Sequence, residues 1–177
     1  MNYHYIILLG DDSPDSLAQE FIVSALRAAD MECRFTYAST RLFVSSDTPT
    51  LLIPGRALII GKIFTKDGKA ITDAQYFDRT TAEISSYILN NIWGDYVVLL
   101  PIGEDGHKFT LLRDPSGGVP CVYSFKSSAR FITSDISLAI DLGLYRRQVD
   151  WYAITHGLSF PYLRAECTAL QDVRELL

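Results

Sequence analysis

The sequence predicts an α+β fold in which two mainly antiparallel sheets are stacked between helix layers. Three observations lead there. Short runs of aromatic and branched residues, alternating with period two and separated by Gly, Pro and Asp turns, fill much of 33–60 and 94–133. Two helical stretches, 13–30 and 80–91, stand apart from those runs instead of alternating with them one for one. The apolar stripe of the first is broad enough to need a sheet beneath it.

Residues 3–9, a run of aromatic and aliphatic side chains, read as a buried strand. Ser13-Pro14-Asp15 then starts a helix: Ser13 accepts from free amides, Pro14 suits the first turn and Asp15 complements the dipole. Leu17, Phe21, Ala25 and Ala28, flanked by Ala18, Ile22, Leu26 and Ala29, form its stripe out to Asp30. From Cys33 the period is two, and 33–37 and 41–44 read as paired strands. Residues 45–49 form a loop, Pro54-Gly55 a turn before a strand at 57–60, and 66–69 a polar turn. The helix at 80–91 is expected to turn Ala82, Tyr87 and Leu89 inward.

In the second half, strands at 94–100, 108–112, 121–125 and 130–133 are joined by turns at 103–106, 114–118 and 126–128. That order predicts a four-strand antiparallel meander. Ser134 is expected to cap a short helix, 135–142, ended by Gly143, and Asp150 another, 151–156, ended by Gly157.

The length suits one domain spanning 1–177. Hydrophobic residues make up 48% and charged residues 21%, which argues against disorder. The net charge is −5 and the longest basic cluster is Arg146-Arg147, too small a footprint for a nucleic-acid partner. The opening apolar run has no basic flank and stops at Gly10, far short of the roughly 20 residues that cross a membrane. The expectation is a cytoplasmic protein with no membrane partner. Cys33, Cys121 and Cys167 are odd in number and scattered, so they read as reduced thiols. His4, His107 and His156 lack ligand-spaced partners, and no metal site is expected.

The block Trp93-Gly94-Asp95-Tyr96-Val97-Val98-Leu99, then Leu112-Arg113-Asp114-Pro115-Ser116-Gly117-Gly118-Val119-Pro120-Cys121-Val122-Tyr123, then Phe131-Ile132-Thr133-Ser134-Asp135 resembles the class II glutamine amidotransferase domain of asparagine synthetases. Within that family, Arg-Asp-Pro-Ser-Gly followed by Pro-Cys, and Gly61-Lys62-Ile63-Phe64 after Leu58-Ile59-Ile60, are most similar to the lasso-peptide cyclase branch. The resemblance implies an Ntn-hydrolase-like sandwich. Residues 168–176 resemble the segment that leads toward an ATP-using domain, so 165–177 is expected to begin a connection to a C-terminal synthetase domain.

The family's chemistry is expected to be missing. Its nucleophile is an N-terminal cysteine whose own α-amino group serves as base. Here Asn2 follows Met1, and an internal cysteine has only an amide nitrogen beside it. The family's glutamine-binding Asn is matched by Ile60, which offers no donor to a developing oxyanion. The resemblance therefore implies a degenerate site with no catalytic residue.

Arg113, Asp114 and Gly117 read as the structural turn of the family motif, with Asp114 accepting from turn amides and Pro115 fixing φ. Ser116-Gly117-Gly118 lacks the Lys-Ser/Thr ending of a phosphate loop and joins two strands. Cys121 reads as core, on the same side as Tyr123 and Phe125. His156 suits a helix C-terminus. Phe160, Tyr162 and Leu163 form a candidate domain-contact surface.

What the resemblance implies is an N-terminal scaffold domain of an ATP-dependent ligase. The C-terminal domain, using ATP and magnesium, would adenylate an Asp or Glu side chain of a precursor peptide, and the peptide's own amine would close a macrolactam. No cofactor is expected in this chain. Its partners would be that synthetase domain, a precursor peptide and its processing peptidase. A ligase using ammonia or another amine, and a free-standing binding module of this fold, are the alternatives.

Overall fold

Tyr5–Leu9 (β1) is buried on both faces, which explains why its residues read as a continuous apolar run. In the computed structural model, which describes residues 3–10, 16–37, 39–102, 108–126, 130–162 and 166–177 (backbone only at 16–19), β1 lies inside a six-stranded antiparallel sheet. Its neighbours are Thr40–Ser45 (β3), paired outward to Met31–Tyr37 (β2), and Arg130–Thr133 (β9), paired to Val122–Ser124 (β8) and then Arg174–Glu175 (β10). A second antiparallel sheet runs Thr50–Ile53 (β4), Ala57–Thr65 (β5), Ile92–Ile102 (β6) and Lys108–Arg113 (β7).

Strand alternation sorts the side chains into three apolar layers. Tyr5, Ile7 and Leu9 of β1 and Leu42 and Val44 of β3 meet Leu58, Ile60, Val97 and Leu99 of the second sheet. The opposite face, through Ile6, Phe43 and Phe131, packs on Leu26 of the helix Ser16–Ala28 (α1) and Ala139 of the helix Ile136–Asp141 (α3). The outer face of the second sheet, through Ile59, Val98 and Leu100, packs on Ile84 and Ile88 of the helix Thr81–Asn91 (α2). The fold is thus α+β, with two antiparallel sheets facing each other and helices outside both.

Local chemistry sets the helix ends. Thr80 and Glu83 form a capping box at α2: the Thr80 N–H donates to Glu83 Oε2 at 2.8 Å and the Glu83 N–H to Thr80 Oγ1 at 3.4 Å. Asp150 caps the helix Trp151–Ser159 (α4) by accepting from the Ala153 N–H at 2.9 Å.

Several expectations need correction. The meander is divided: β6 and β7 pair in one sheet and β8 and β9 in the other, so the 114–118 turn carries the chain between sheets. Thr50–Ile53 forms a strand where no strand was expected, and β5 continues through Gly61 to Thr65. α2 turns Ile84 and Ile88 inward, while Ala82 and Leu89 are exposed and Tyr87 is partly buried, because an i, i+4 pair is what aligns with the sheet. Phe21 is 65% exposed, and α1 buries Leu26 instead. Asp135, not Ser134, caps α3, accepting from the Ser137 N–H at 2.9 Å, while Ser134 Oγ accepts from the Tyr5 N–H at 3.0 Å. α4 runs through Gly157 to Ser159. Ser13, Pro14 and Asp15, the turn 103–106 and Ser127 and Ser128 lie outside the described residues. No helix among the described residues is long and apolar enough to cross a membrane.

Candidate functional site

The motif residues collect at the end of the sandwich where β1 begins and β7 ends. Asp114 follows directly on β7 and is 2% exposed. Its N–H donates to the Tyr96 carbonyl at 3.0 Å, and its Oδ1 accepts from the Tyr96 N–H, also at 3.0 Å. Its other oxygen accepts from the Ser116 hydroxyl and, at 3.4 Å, from the Gly118 N–H. Its carbonyl accepts from the Gly117 N–H at 3.1 Å, which closes the turn, with Gly117 at φ +69°. A buried carboxylate with this many donors is satisfied in place.

Arg113 serves the same turn from the other side. Its side chain is 7% exposed and donates through Nε to the Val119 carbonyl at 2.9 Å and through Nη2 to the Gly117 carbonyl at 2.8 Å. Nη1 reaches Glu175 Oε1 at 3.1 Å and the Leu176 carbonyl. A planar five-donor fork can hold three carbonyls and a carboxylate together, and an ammonium cannot. The Leu176 N–H donates to the Cys121 carbonyl at 2.9 Å, and Glu175 pairs with Val122. The residues at 174–176 are thereby fixed along the edge of the six-stranded sheet.

Asp95, which the sequence reading did not single out, sits against this turn. It lies opposite Lys62 in the β5–β6 register, and a Cβ on Gly118 would stand 2.0 Å from its Oδ1. Tyr3 lies close by, with its phenol pKa raised by burial first, then by the charges of Asp95 and Asp114. The available signal was the pair Gly61 and Gly94 inside otherwise apolar strands, since a strand glycine marks close backbone approach.

Cys121 is fully buried. Burial pushes its thiol up to about 11, with the neighbouring Tyr5 hydroxyl and the Arg113 charge only partly opposing the rise. The Tyr5 hydroxyl donates to the Pro120 carbonyl at 2.9 Å, and its own pKa stands well above the ordinary value, chiefly through burial. The cluster therefore presents neutral phenols and a neutral thiol at physiological pH, and a neutral thiol is a poor nucleophile. Cys33 and Cys167 are exposed, on β2 and beside β10. Among the described residues, no group of three or more His, Cys, Asp or Glu side chains is arranged to hold a metal ion.

The expected domain-contact residues stand elsewhere, at the end of α4. Phe160 is 53% exposed and Tyr162 96%, while Leu163 lies outside the described residues. α4 buries none of its residues, and Trp151, Tyr152 and Leu158 are also largely open. His156 occupies its last turn, its ring 5.2 Å from that of Phe160.

No family model matches the chain, and no curated protein matches it in sequence.

Proposed function

We propose that this chain is a non-hydrolytic, glutamine-amidotransferase-like domain of the asparagine synthetase kind, with an Ntn-hydrolase-like arrangement of its two sheets. It would serve as the N-terminal scaffold of an ATP-dependent, amide-forming ligase of the lasso-peptide cyclase type. The amide bond would be made by a C-terminal synthetase domain, with ATP and magnesium bound there. Its acceptor would be an amine of the peptide itself, so no ammonia need be released here.

The observation that carries the non-hydrolytic part is the state of Cys121. Of the three cysteines it is the one beside the Arg113–Asp114 turn, and it is buried, with its pKa raised to about 11. Its nitrogen is bound in an amide, which cannot take the proton that an α-amino base would accept. The Arg-Asp-x-x-Gly turn fits the scaffold role, because its charged groups are engaged with backbone and with Glu175. The open aromatic surface of α4, with Phe160 and Tyr162, supports a role in contacting the synthetase domain.

The test is direct. Incubation of the purified chain with glutamine should yield no glutamate above a protein-free control. Turnover that disappears in Cys121→Ala would overturn this reading.

A further inference from the structure

We propose that the outer edge of β7 takes up an extended peptide segment of another protein as an added antiparallel strand, every second side chain of which enters the space between the two sheets. This site does not depend on the reading given above.

β7 ends the four-stranded sheet, and its strand neighbour among the described residues is β6. The pairing runs unbroken from Arg113 opposite Val97 to Lys108 opposite Ile102. In an antiparallel ladder, successive residues turn their N–H and C=O groups toward the neighbour and away from it by turns. The Asp114 N–H donates to the Tyr96 carbonyl at 3.0 Å, and that sets the phase. Leu112 and Thr110 then face β6 with their backbone groups, while Leu111 and Phe109 face outward. Pro101, which has no N–H to give, stands opposite Phe109, in keeping with that phase. The outward groups of Phe109 and Leu111 have no hydrogen-bond partner among the described residues.

The other sheet edges among the described residues are blunted, and β7 is not. β10 and β4 are two and four residues long. β2 carries a register shift between Cys33 and Phe35, with Glu32 and Arg34 exposed along it. β7 is six residues long, with no bulge, no proline and no charge between Lys108 and Arg113. A regular apolar edge is a template for another strand, and unpaired amides and carbonyls at strand spacing select a peptide backbone.

The space beside the edge selects the side chains. The six-stranded sheet continues there through β8 to β10, whereas the facing sheet stops at β7. Phe109 and Leu111 line a cavity of about 630 Å³ together with Tyr123, Phe125 and Leu176. The rings of Tyr123 and Phe125 pack with centroids 4.8 Å apart, and Phe125 is 47% exposed. Peptide residues bonded to Phe109 and Leu111 in an antiparallel pair lie on the same face as those side chains and enter this cavity. Apolar residues at those positions remove the open ring surface from water, and the alternate residues stay in solvent. A second copy of this chain would bring its own β7, whose Phe109 and Leu111 already pack on its own core, and would leave the cavity unfilled.

The experiment adds the peptide Lys-Thr-Val-Thr-Val-Thr-Val-Thr-Lys, with fluorescein at its amino end and an amide at its carboxyl end, to the full chain and follows anisotropy. Saturable binding is expected. Methylating the valine nitrogens, which face β7, should weaken it by at least about tenfold. Methylating the threonine nitrogens, which face away, should change it by less than about twofold. Hydrogen exchange at the Phe109 and Leu111 amides should be fast in the free chain and slow by at least about tenfold with peptide, while Thr110 and Leu112 are slow in both. Leu111→Pro, which removes an outward donor and no bond to β6, should weaken the peptide by about tenfold. Where that variant does not fold, Phe125→Asp, at a half-open position, should do the same with far-ultraviolet dichroism unchanged. A Trp151→Ser/Tyr152→Ser variant should bind as the parent does. Absence of saturable binding, equal losses from the two methylations, or loss in the Trp151/Tyr152 variant alone would overturn the proposal. So would a concentration-dependent dimer that protects the Phe109 and Leu111 amides, which would make a second copy the occupant.

Discussion

The backbone of Gly61 runs so close to that of Asp95 that a Cβ on Gly61 would lie 2.1 Å from the Asp95 carbonyl oxygen. Gly61 also adopts φ +111°, a conformation side chains rarely take. Both effects act against Gly61→Ala, and neither can be relieved by rotating a side chain. The variant is expected to lose on the order of 3 kcal/mol or more, from steric crowding plus backbone strain. Gly118→Ala meets the exposed Asp95 side chain, with Oδ1 at 2.0 Å, Cγ at 2.5 Å and Cβ at 2.9 Å; rotation relieves the first two and only a small backbone shift the third, so it should lose less, about 1–2 kcal/mol. Urea unfolding of the two variants checks the order. Equal losses would contradict the close backbone approach.

Arg113 is buried and holds four acceptors, so truncation leaves them short of donors as well as removing a charge from Glu175. Arg113→Ala is expected to cost about 3–5 kcal/mol. Arg113→Lys keeps the charge and loses the fork, and should still cost about 2 kcal/mol. Glu175→Gln should cost less than about 1 kcal/mol, because that carboxylate is 45% exposed and well screened. In either arginine variant, the amides of 174–176 should exchange hydrogen faster than in the parent. Unchanged exchange there would argue against Arg113 as the fastening.

The Cys121 thiol makes the fold sensitive to alkali. Its pKa is about 11 in the folded chain against an ordinary value of 9.0, so folding favours the protonated form. That contribution is fully present below pH about 9 and is lost as pH rises through about 11, where the unfolded chain has already ionised. It amounts to roughly 3 kcal/mol, and Tyr5, raised for the same reason, adds to the loss at higher pH. Stability followed by urea midpoint should fall from pH 9 upward, and Cys121→Ala should flatten part of that slope. In the native state at pH 7, iodoacetamide should modify the exposed Cys33 and Cys167 and spare Cys121. Rapid labelling of Cys121 would contradict its burial.

Much of the architecture was legible because strands buried on both faces leave a strong mark. Residues 3–9 and 94–100 read correctly as strands on that ground, the half-exposed 108–112 read as one from its local composition, and Asp150 read correctly as a cap because one side chain reaches nearby amides. The partition of the last four strands was not legible. A turn such as 114–118 looks the same whether the next strand doubles back or crosses to another sheet. The choice here coincides with the contacts of Arg113 to 117, 119, 175 and 176, of which the last two are distant in sequence. Gly61 misled in the opposite way, reading as the end of a strand when it permits the strand to pass close to Asp95. Asp95 itself carried no local pattern, and only its position next to Gly94 in the sequence could have marked it.

The grip of one guanidinium on both the 117–119 turn and the 175–176 backbone has a mechanical consequence. Tension applied at the carboxyl-terminal residues would pass through Arg113 into the loop that cradles the Asp95 carboxylate, instead of dissipating in a fraying tail. A tether placed there would act as a lever on that loop.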